Sequence, residues 1–191
     1  NVGIRIALER GADYIMLLNN DTAIDAHAIE PMIELDKTMP DIGAQCGKIY
    51  FFSDPQKLWY AGGEYSIDKA LGYHRGMHEP DAPMYDSVQE TDYATGCVMF
   101  VPRAVFEKVG FLDENLFAYF EDSDWCLRAR KLGYRIMYNP RAKIWHKVSV
   151  TSKIDSPLYL YLTMRNKIFL LRKHSKFSGW LKYLPYFIYF Y

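Results

Sequence analysis

A few side chains in this sequence are of the right type, at the right place along the chain, to do chemistry. Asp21 stands directly after Tyr14-Ile-Met-Leu-Leu18, a continuous apolar run, within Asn19-Asn20-Asp21-Thr22. A carboxylate at the end of a buried strand sits where open α/β sheets collect ligands, and it can hold a divalent ion that bridges phosphate oxygens. The same four residue types also make an ordinary turn by side-chain to backbone bonding. Glu121, Asp122 and Asp124 crowd the first turn of an expected helix, where the helix dipole favours acids, and Asp124 stands at ion-pair spacing from Arg128. Asp122 differs because it follows Leu116-Phe-Ala-Tyr-Phe120. A carboxylate emerging beside aromatics is partly desolvated, which raises its pKa and makes a better base. His146 closes the stretch Ala142-Lys-Ile-Trp145; imidazole can join carboxylate oxygens on manganese, or serve as a hydrogen-bonded structural residue. His74 and His78, in HRGMH, lack a helical context and read as solvated, while His27 and His174 carry no signal. No GxxxxGK[ST], GxGxxG or GxSxG occurs, so phosphate-loop, dinucleotide and nucleophile-elbow chemistry have no motif here.

These residues need elements to position them. Apolar residues at Val2, Ile4, Ile6, Ala7 and Leu8 predict a helix that Gly11 ends, followed by a strand over 14–18 covered on both faces. Asp25 is the expected N-cap of a helix over 26–38, which Pro40 closes. Strands are expected over 42–52 and around 57–66, and a long polar surface loop over 72–90. Residues 91–101 read as a strand that carries Thr95, Gly96 and Cys97; a glycine inside a strand permits close approach of a ligand. Pro102 is expected to open a short helix ended by Gly110, and residues 121–132 form a helix closed by Gly133. Strands near 134–138 and 142–146 follow, then an amphipathic helix over 157–173. This alternation predicts an α/β fold with a mostly parallel sheet.

Composition bounds the rest. A length of 191 residues, half of them apolar, suits one folded domain with an appendage and excludes disordered or low-complexity classes. Basic and acidic residues balance at 23 each, so no general grip on nucleic acid follows. Sixteen Tyr, eleven Phe and four Trp suit sugar binding or an ordinary core equally. Cys46, Cys97 and Cys126 lie far apart and odd in number, which predicts reduced thiols in a cytoplasmic compartment. The run from Trp180 to Tyr191 is shorter than the about 20 apolar residues a spanning helix needs, though it could begin one. Lys167, Arg172, Lys173, Lys176 and Lys182 accompany Trp180, Tyr183, Phe187 and Tyr189, as suits a membrane surface.

Three stretches together carry a resemblance: NVGIRIALERGADYIMLLNNDTAID, TGCVMFVPRAVFEKVGFLDENLFAYFEDSDWCLRARKLGY, and KIWH with YLTMRNKIFLLRK. They cover most of the chain and are similar to the family 2 inverting glycosyltransferases, in particular rhamnosyltransferase-like and galactofuranosyltransferase-like members. The resemblance implies a glycosyltransferase A-type fold, a Rossmann-like mixed sheet flanked by helices. It places the catalytic domain over 1–155 and an amphipathic, aromatic-rich helical tail over 156–191. It makes Asn19-Asn20-Asp21 the DxD-type motif, with Asp21 on the metal of the sugar-nucleotide diphosphate and Asn19 in place of the first acid. It makes Asp122 the catalytic base and His146 a second metal ligand. It also implies that a strand and a helix precede Asn1-Val-Gly; without them, Tyr14–Leu18 is an expected free edge for self-association, and the isolated chain an expected poor enzyme.

The reading that follows is transfer of a sugar, with inversion, from a nucleotide-diphosphate donor to a hydroxyl of a glycan or lipid-linked glycan. Asp122 is the base; Asp21 and His146 hold manganese or magnesium; Asn19, Asp21, Thr95, Gly96 and Cys97 border the donor. The expected setting is surface polysaccharide synthesis on the cytoplasmic side of the membrane. Two rivals use the same residues: a non-catalytic nucleotide-sugar or glycan-binding scaffold, and a metal-dependent hydrolase of nucleotide sugars.

Overall fold

The computed structural model describes residues 1–67, 71–148 and 156–175. Helix α1 (Val2–Glu9) ends at Gly11, whose φ of +79° lets the chain reverse into strand β1 (Tyr14–Leu18). β2 (Thr22–Ile24) is a three-residue strand without periodicity, not anticipated from the sequence. Helix α2 (Glu30–Thr38) begins four residues later than expected. Asp25 does not cap it: its carboxylate accepts from the His27 N–H at 2.8 Å, and the helix starts where Pro31 suits a first turn.

β3 (Ile42–Phe51) runs through the middle of the molecule, buried along all but its last residue. β4 (Leu58–Tyr60) pairs with its end. β5 (Gly63–Ser66) and β6 (Leu71–His74) form a separate antiparallel ribbon. The segment expected as a loop over 72–90 is therefore partly regular: it holds most of β6, a 3-10 turn at Pro83–Tyr85, and β7 (Gln89–Glu90). Lys48, 1 % exposed on β3, ties it down by bonding Asp81 at 2.8 Å and Asp86 at 2.5 Å. A buried ammonium is tolerable because both carboxylates reach it.

β8 (Val98–Pro102) is shorter than expected, and residues 91–97 are irregular apart from one isolated bridge, Tyr93 with Gly63. Pro102 ends this strand in extended geometry and α3 (Arg103–Val109) follows; Gly110 at φ +85° closes it. α4 (Glu121–Lys131) comes next. The two strands expected near 134–138 and 142–146 are one, β9 (Arg135–His146). Its register against β3 slips where Gly47–Lys48 face Asn139–Lys143. Gly47 permits that bulge: a Cβ there would lie 2.4 Å from the Ala142 carbonyl oxygen. α5 (Pro157–His174) is capped by Ser156, whose hydroxyl accepts from the Tyr159 N–H at 3.2 Å.

The main sheet has the order β1-β8-β3-β9-β2. Its one parallel pair among the described residues is β3 with β9. The expectation of a mostly parallel sheet is corrected: β8 returns antiparallel between β1 and β3, so the sheet is mixed. The core lies on β3, β8 and β9 and includes Trp125, Tyr60, Tyr138 and Phe106, and the three cysteines are free and buried in it. No helix among the described residues is long and apolar enough to cross a membrane, and the aromatic and basic residues expected over 176–191 lie outside those residues.

Candidate active site

The first centre forms where β1 stops. The Asn19 N–H donates to the Cys97 carbonyl at 3.0 Å, and the Thr22 hydroxyl donates to the Asn19 carbonyl at 2.7 Å. β2 then pairs with the end of β9, Thr22 opposite His146, and the Lys147 N–H donates to the Asp21 carbonyl at 2.9 Å. These bonds bring His146 Nε2 to 3.2 Å from Asp21 Oδ1. Asp21 Oδ1 and His146 Nδ1 are both buried without a hydrogen-bond partner. Burial lowers the His146 pKa against the opposing pull of Asp21, which keeps the imidazole neutral and able to ligate.

A carboxylate oxygen and an imidazole that meet through Nε2 at 3.2 Å suit two adjacent ligands of one divalent cation. Among the described residues no third His, Cys, Asp or Glu joins them. Further ligands would have to come from a bound diphosphate and water, as is usual for magnesium-type sites. Trp59 packs against the site, its ring 4.5 Å from that of His146 and 4.4 Å from that of His74. His74 is a correction to the sequence reading. It is packed among Trp59, Tyr60 and Tyr93, its Nδ1 is 3.1 Å from the Trp59 carbonyl, and burial pushes its pKa down to about 4.

The second centre is set by the loop before α4. Phe117, Tyr119 and Phe120 all adopt left-handed backbone, with φ of 63°, 69° and 69°. Each such residue costs on the order of 1 kcal/mol. The reward is the placing of α4's first two residues. Asp122 Oδ2 accepts from the Gly96 N–H at 2.7 Å, and Oδ1 from the Ser123 N–H at 2.6 Å and the Ser123 hydroxyl at 3.1 Å. Burial raises the Asp122 pKa and these donors oppose it. Glu121 lies beside it, pushed up to about 7 by burial and by the charge of Asp122, and its Oε2 is buried without a hydrogen-bond partner. A Cβ on Gly96 would stand 3.6 Å from Asp122 and 3.7 Å from Glu121, so both carboxylates border the glycine.

Residues 95–97 join the two centres. The Cys97 backbone holds Asn19, its thiol is pushed up to about 12 by burial and by the Asp21 charge, and the neighbouring Gly96 holds Asp122. Thr95, Gly96 and Cys97 precede β8 instead of lying inside a strand, and the Thr95 and Cys97 side chains are buried. What this segment can present to a ligand is its backbone at Gly96. Two residues escaped the sequence reading. Tyr65 and Tyr93 are raised by burial and then by the charge of Asp122, and the Tyr65 hydroxyl is buried without a partner. No local pattern marks either tyrosine.

Asp124 points elsewhere. Its carboxylate bonds Arg128 at 2.9 Å, as the spacing predicted, and also Lys173 at 2.8 Å and His174 at 2.7 Å. His174, silent in the sequence, is thus half of a helix-to-helix tie.

The sheet is mixed and flanked by helices, with a carboxylate just past the end of its edge strand β1 and an acid pair at the start of α4, an α/β architecture. Residues 14–182 match glycosyl transferase family group 2, and the chain belongs to that family. It is 29% identical over 184 residues to the dTDP-rhamnosyl transferase RfbF of Shigella flexneri, covering 91% of this chain and 58% of that one. It is 30% identical over 188 residues to the low-salt glycan biosynthesis hexosyltransferase Agl10 of Haloferax volcanii, covering 93% and 56%. It is 24% identical over 184 residues to an N-acetylglucosaminyl-diphospho-decaprenol L-rhamnosyltransferase of Mycobacterium tuberculosis, covering 88% and 57%. The chain therefore spans a little over half the length of these relatives. Its fold is similar to that in the crystal structure of GalNAc-T7 with UDP, GalNAc and Mn2+, with a TM-score of 0.64 at 13% identity over 88% of this chain and 34% of that one.

Proposed function

We propose that the protein transfers a sugar from a nucleotide-diphosphate donor to a hydroxyl of a glycan acceptor, with inversion, in the synthesis of a surface polysaccharide. One observation carries the reading: Asp122 is held by the Gly96 N–H at the junction between a second carboxylate and the Asp21–His146 centre. In this reading Asp122 takes the proton of the acceptor hydroxyl as that oxygen bonds the anomeric carbon. The bond from that carbon to the diphosphate oxygen breaks on the opposite face, and the nucleoside diphosphate leaves with the electron pair. Asp21 and His146 would hold a divalent cation, which when bound neutralises charge on the departing diphosphate. Glu121 keeps the site's charge low while protonated and raises the basicity of its neighbour once ionised. The Gly96 backbone allows the sugar close approach. Two names among the relatives support this class of donor and product, a dTDP-rhamnosyl transferase and a glycan biosynthesis hexosyltransferase.

The setting proposed is the cytoplasmic face of a membrane. Exposed Leu158, Leu160 and Tyr161 on α5, with Arg165 and Lys167 nearby in sequence, support contact with an acidic lipid surface. The outer edge of β1 has no strand partner among the described residues, which supports pairing of two copies there in the isolated chain. The deciding experiment for the activity is the stereochemistry of transfer by the full-length protein. A product whose anomeric configuration is opposite to that of the donor is expected; retention would overturn the single-base mechanism.

A further inference from the structure

We infer that Asn166, on the face of α5 turned to the loop before α4, is the positioning residue that holds Glu121 and Asp122 in working orientation. The inference rests on the reading of Asp122 as the base. Asn166 is fully buried in the middle of a helix, a place where asparagine is a poor choice. Its carboxamide nitrogen donates to the carbonyls of Leu116 at 2.9 Å, Ala118 at 2.7 Å and Tyr119 at 2.8 Å. Two N–H groups serving three acceptors means that one bond is shared. The Asn166 amide oxygen accepts from Arg165 Nε at 2.9 Å, and the same guanidinium donates to the carbonyls of Asn115 at 2.9 Å and Leu116 at 2.8 Å. Four carbonyls of the loop, those of residues 115, 116, 118 and 119, are thereby gripped from α5.

That grip falls where it is needed. Of the five non-glycine residues with positive φ among the described residues, three are Phe117, Tyr119 and Phe120, just ahead of Glu121. Aromatic residues keep such a backbone only where the surroundings over-determine it. Of the gripped carbonyls, Leu116 also accepts from the Ala118 N–H at 2.8 Å, and the Asn166–Arg165 pair supplies donors to those of Asn115, Ala118 and Tyr119. The grip has a second point two helical turns further on, on the same face, where Lys173 and His174 bond Asp124 at 2.8 Å and 2.7 Å. α5 therefore fixes both the approach to α4 and its first turn, and so the direction in which the two acids leave the helix.

Two substitutions in the full-length protein test this. Asn166→Asp keeps the size but cannot donate to carbonyls. It is expected to lower kcat roughly 100-fold, the scale of a misplacement near 1 Å, with donor KM within about twofold. Hydrogen exchange should quicken over 115–124 and stay slow in β3, β8 and β9. Arg165→Gln removes the outer bonds with less risk to folding and should show the same split between kcat and KM, about tenfold in kcat. Native kcat in either folded variant, or equal losses in kcat and donor affinity, would overturn the inference. If Asp122→Asn itself transfers at the native rate, the base reading fails instead, and exchange over 115–124 then decides whether α5 holds the loop.

Discussion

His146 Nε2 lies 3.2 Å from Asp21 Oδ1 because a three-residue strand, β2, pairs Thr22 with His146 at the far end of β9. The two residues stand 125 positions apart, so their meeting is set by strand pairing. The contact leaves Asp21 Oδ1 and His146 Nδ1 buried and unbonded, an arrangement with a cost unless something else occupies it.

A divalent cation is the proposed occupant, and its effect on ligand binding is measurable. Calorimetry of a nucleoside diphosphate should show tighter binding with manganese than without. Asp21→Asn and His146→Ala should each weaken the manganese-dependent part roughly 10-fold or more. Diphosphate binding indifferent to manganese would remove the shared metal site.

Loss of the base should appear in turnover. Asp122→Asn keeps the shape, but its single amide oxygen can accept from Gly96 or from Ser123 and not both, and it cannot accept a proton. Transfer should fall by about 10²- to 10⁴-fold with donor affinity nearly intact. A normal rate would reduce Asp122 to a helix-start acid.

Glu121 makes a prediction about stability and pH. Its pKa in the folded protein, about 7, stands above the ordinary 4.5, so the folded state keeps a proton that the unfolded chain gives up. Stability contributed by this group is therefore full below about pH 4.5 and is lost as pH rises toward 7. Glu121→Gln removes that loss. Melting temperatures of variant and native protein, compared between pH 4.5 and 8, should diverge in the variant's favour as pH rises. A gap that stays constant would show that Glu121 titrates as an ordinary surface acid.

Asp124 belongs to folding. Burial raises its pKa, but His174, Lys173 and Arg128 outweigh that and hold it well below the usual carboxylate range. Asp124→Ala should cost about 3 kcal/mol, since it leaves Arg128, Lys173 and the His174 ring without their shared buried acceptor. Chemical denaturation measures this. A loss under about 1 kcal/mol would mean that the cations find water instead.

Much of this architecture could be read locally. Tyr14–Leu18 announces a buried strand by its unbroken apolar run, and Gly11, Gly110 and Gly133 mark helix ends because only glycine takes their positive φ without strain. The placing of Asp21 after a strand and of Glu121 and Asp122 at a helix start is likewise a near-neighbour property, as is the i,i+4 pairing of Asp124 with Arg128. Direction and pairing in the sheet were not of this kind. A strand pattern records which faces are buried and not which strand lies alongside or which way it runs, so β2 and the antiparallel return of β8 emerged only in three dimensions. Desolvation is also non-local: His74 reads as a loop histidine until Trp59, Tyr60 and Tyr93 close around it. The same holds for Tyr65 and Tyr93 beside Asp122, and for Asn166, whose three acceptors lie 47 to 50 residues away. Sequence determined which groups were available and on what elements; tertiary pairing decided which of them meet and how dry the meeting place is, because both depend on chain segments that no local pattern specifies.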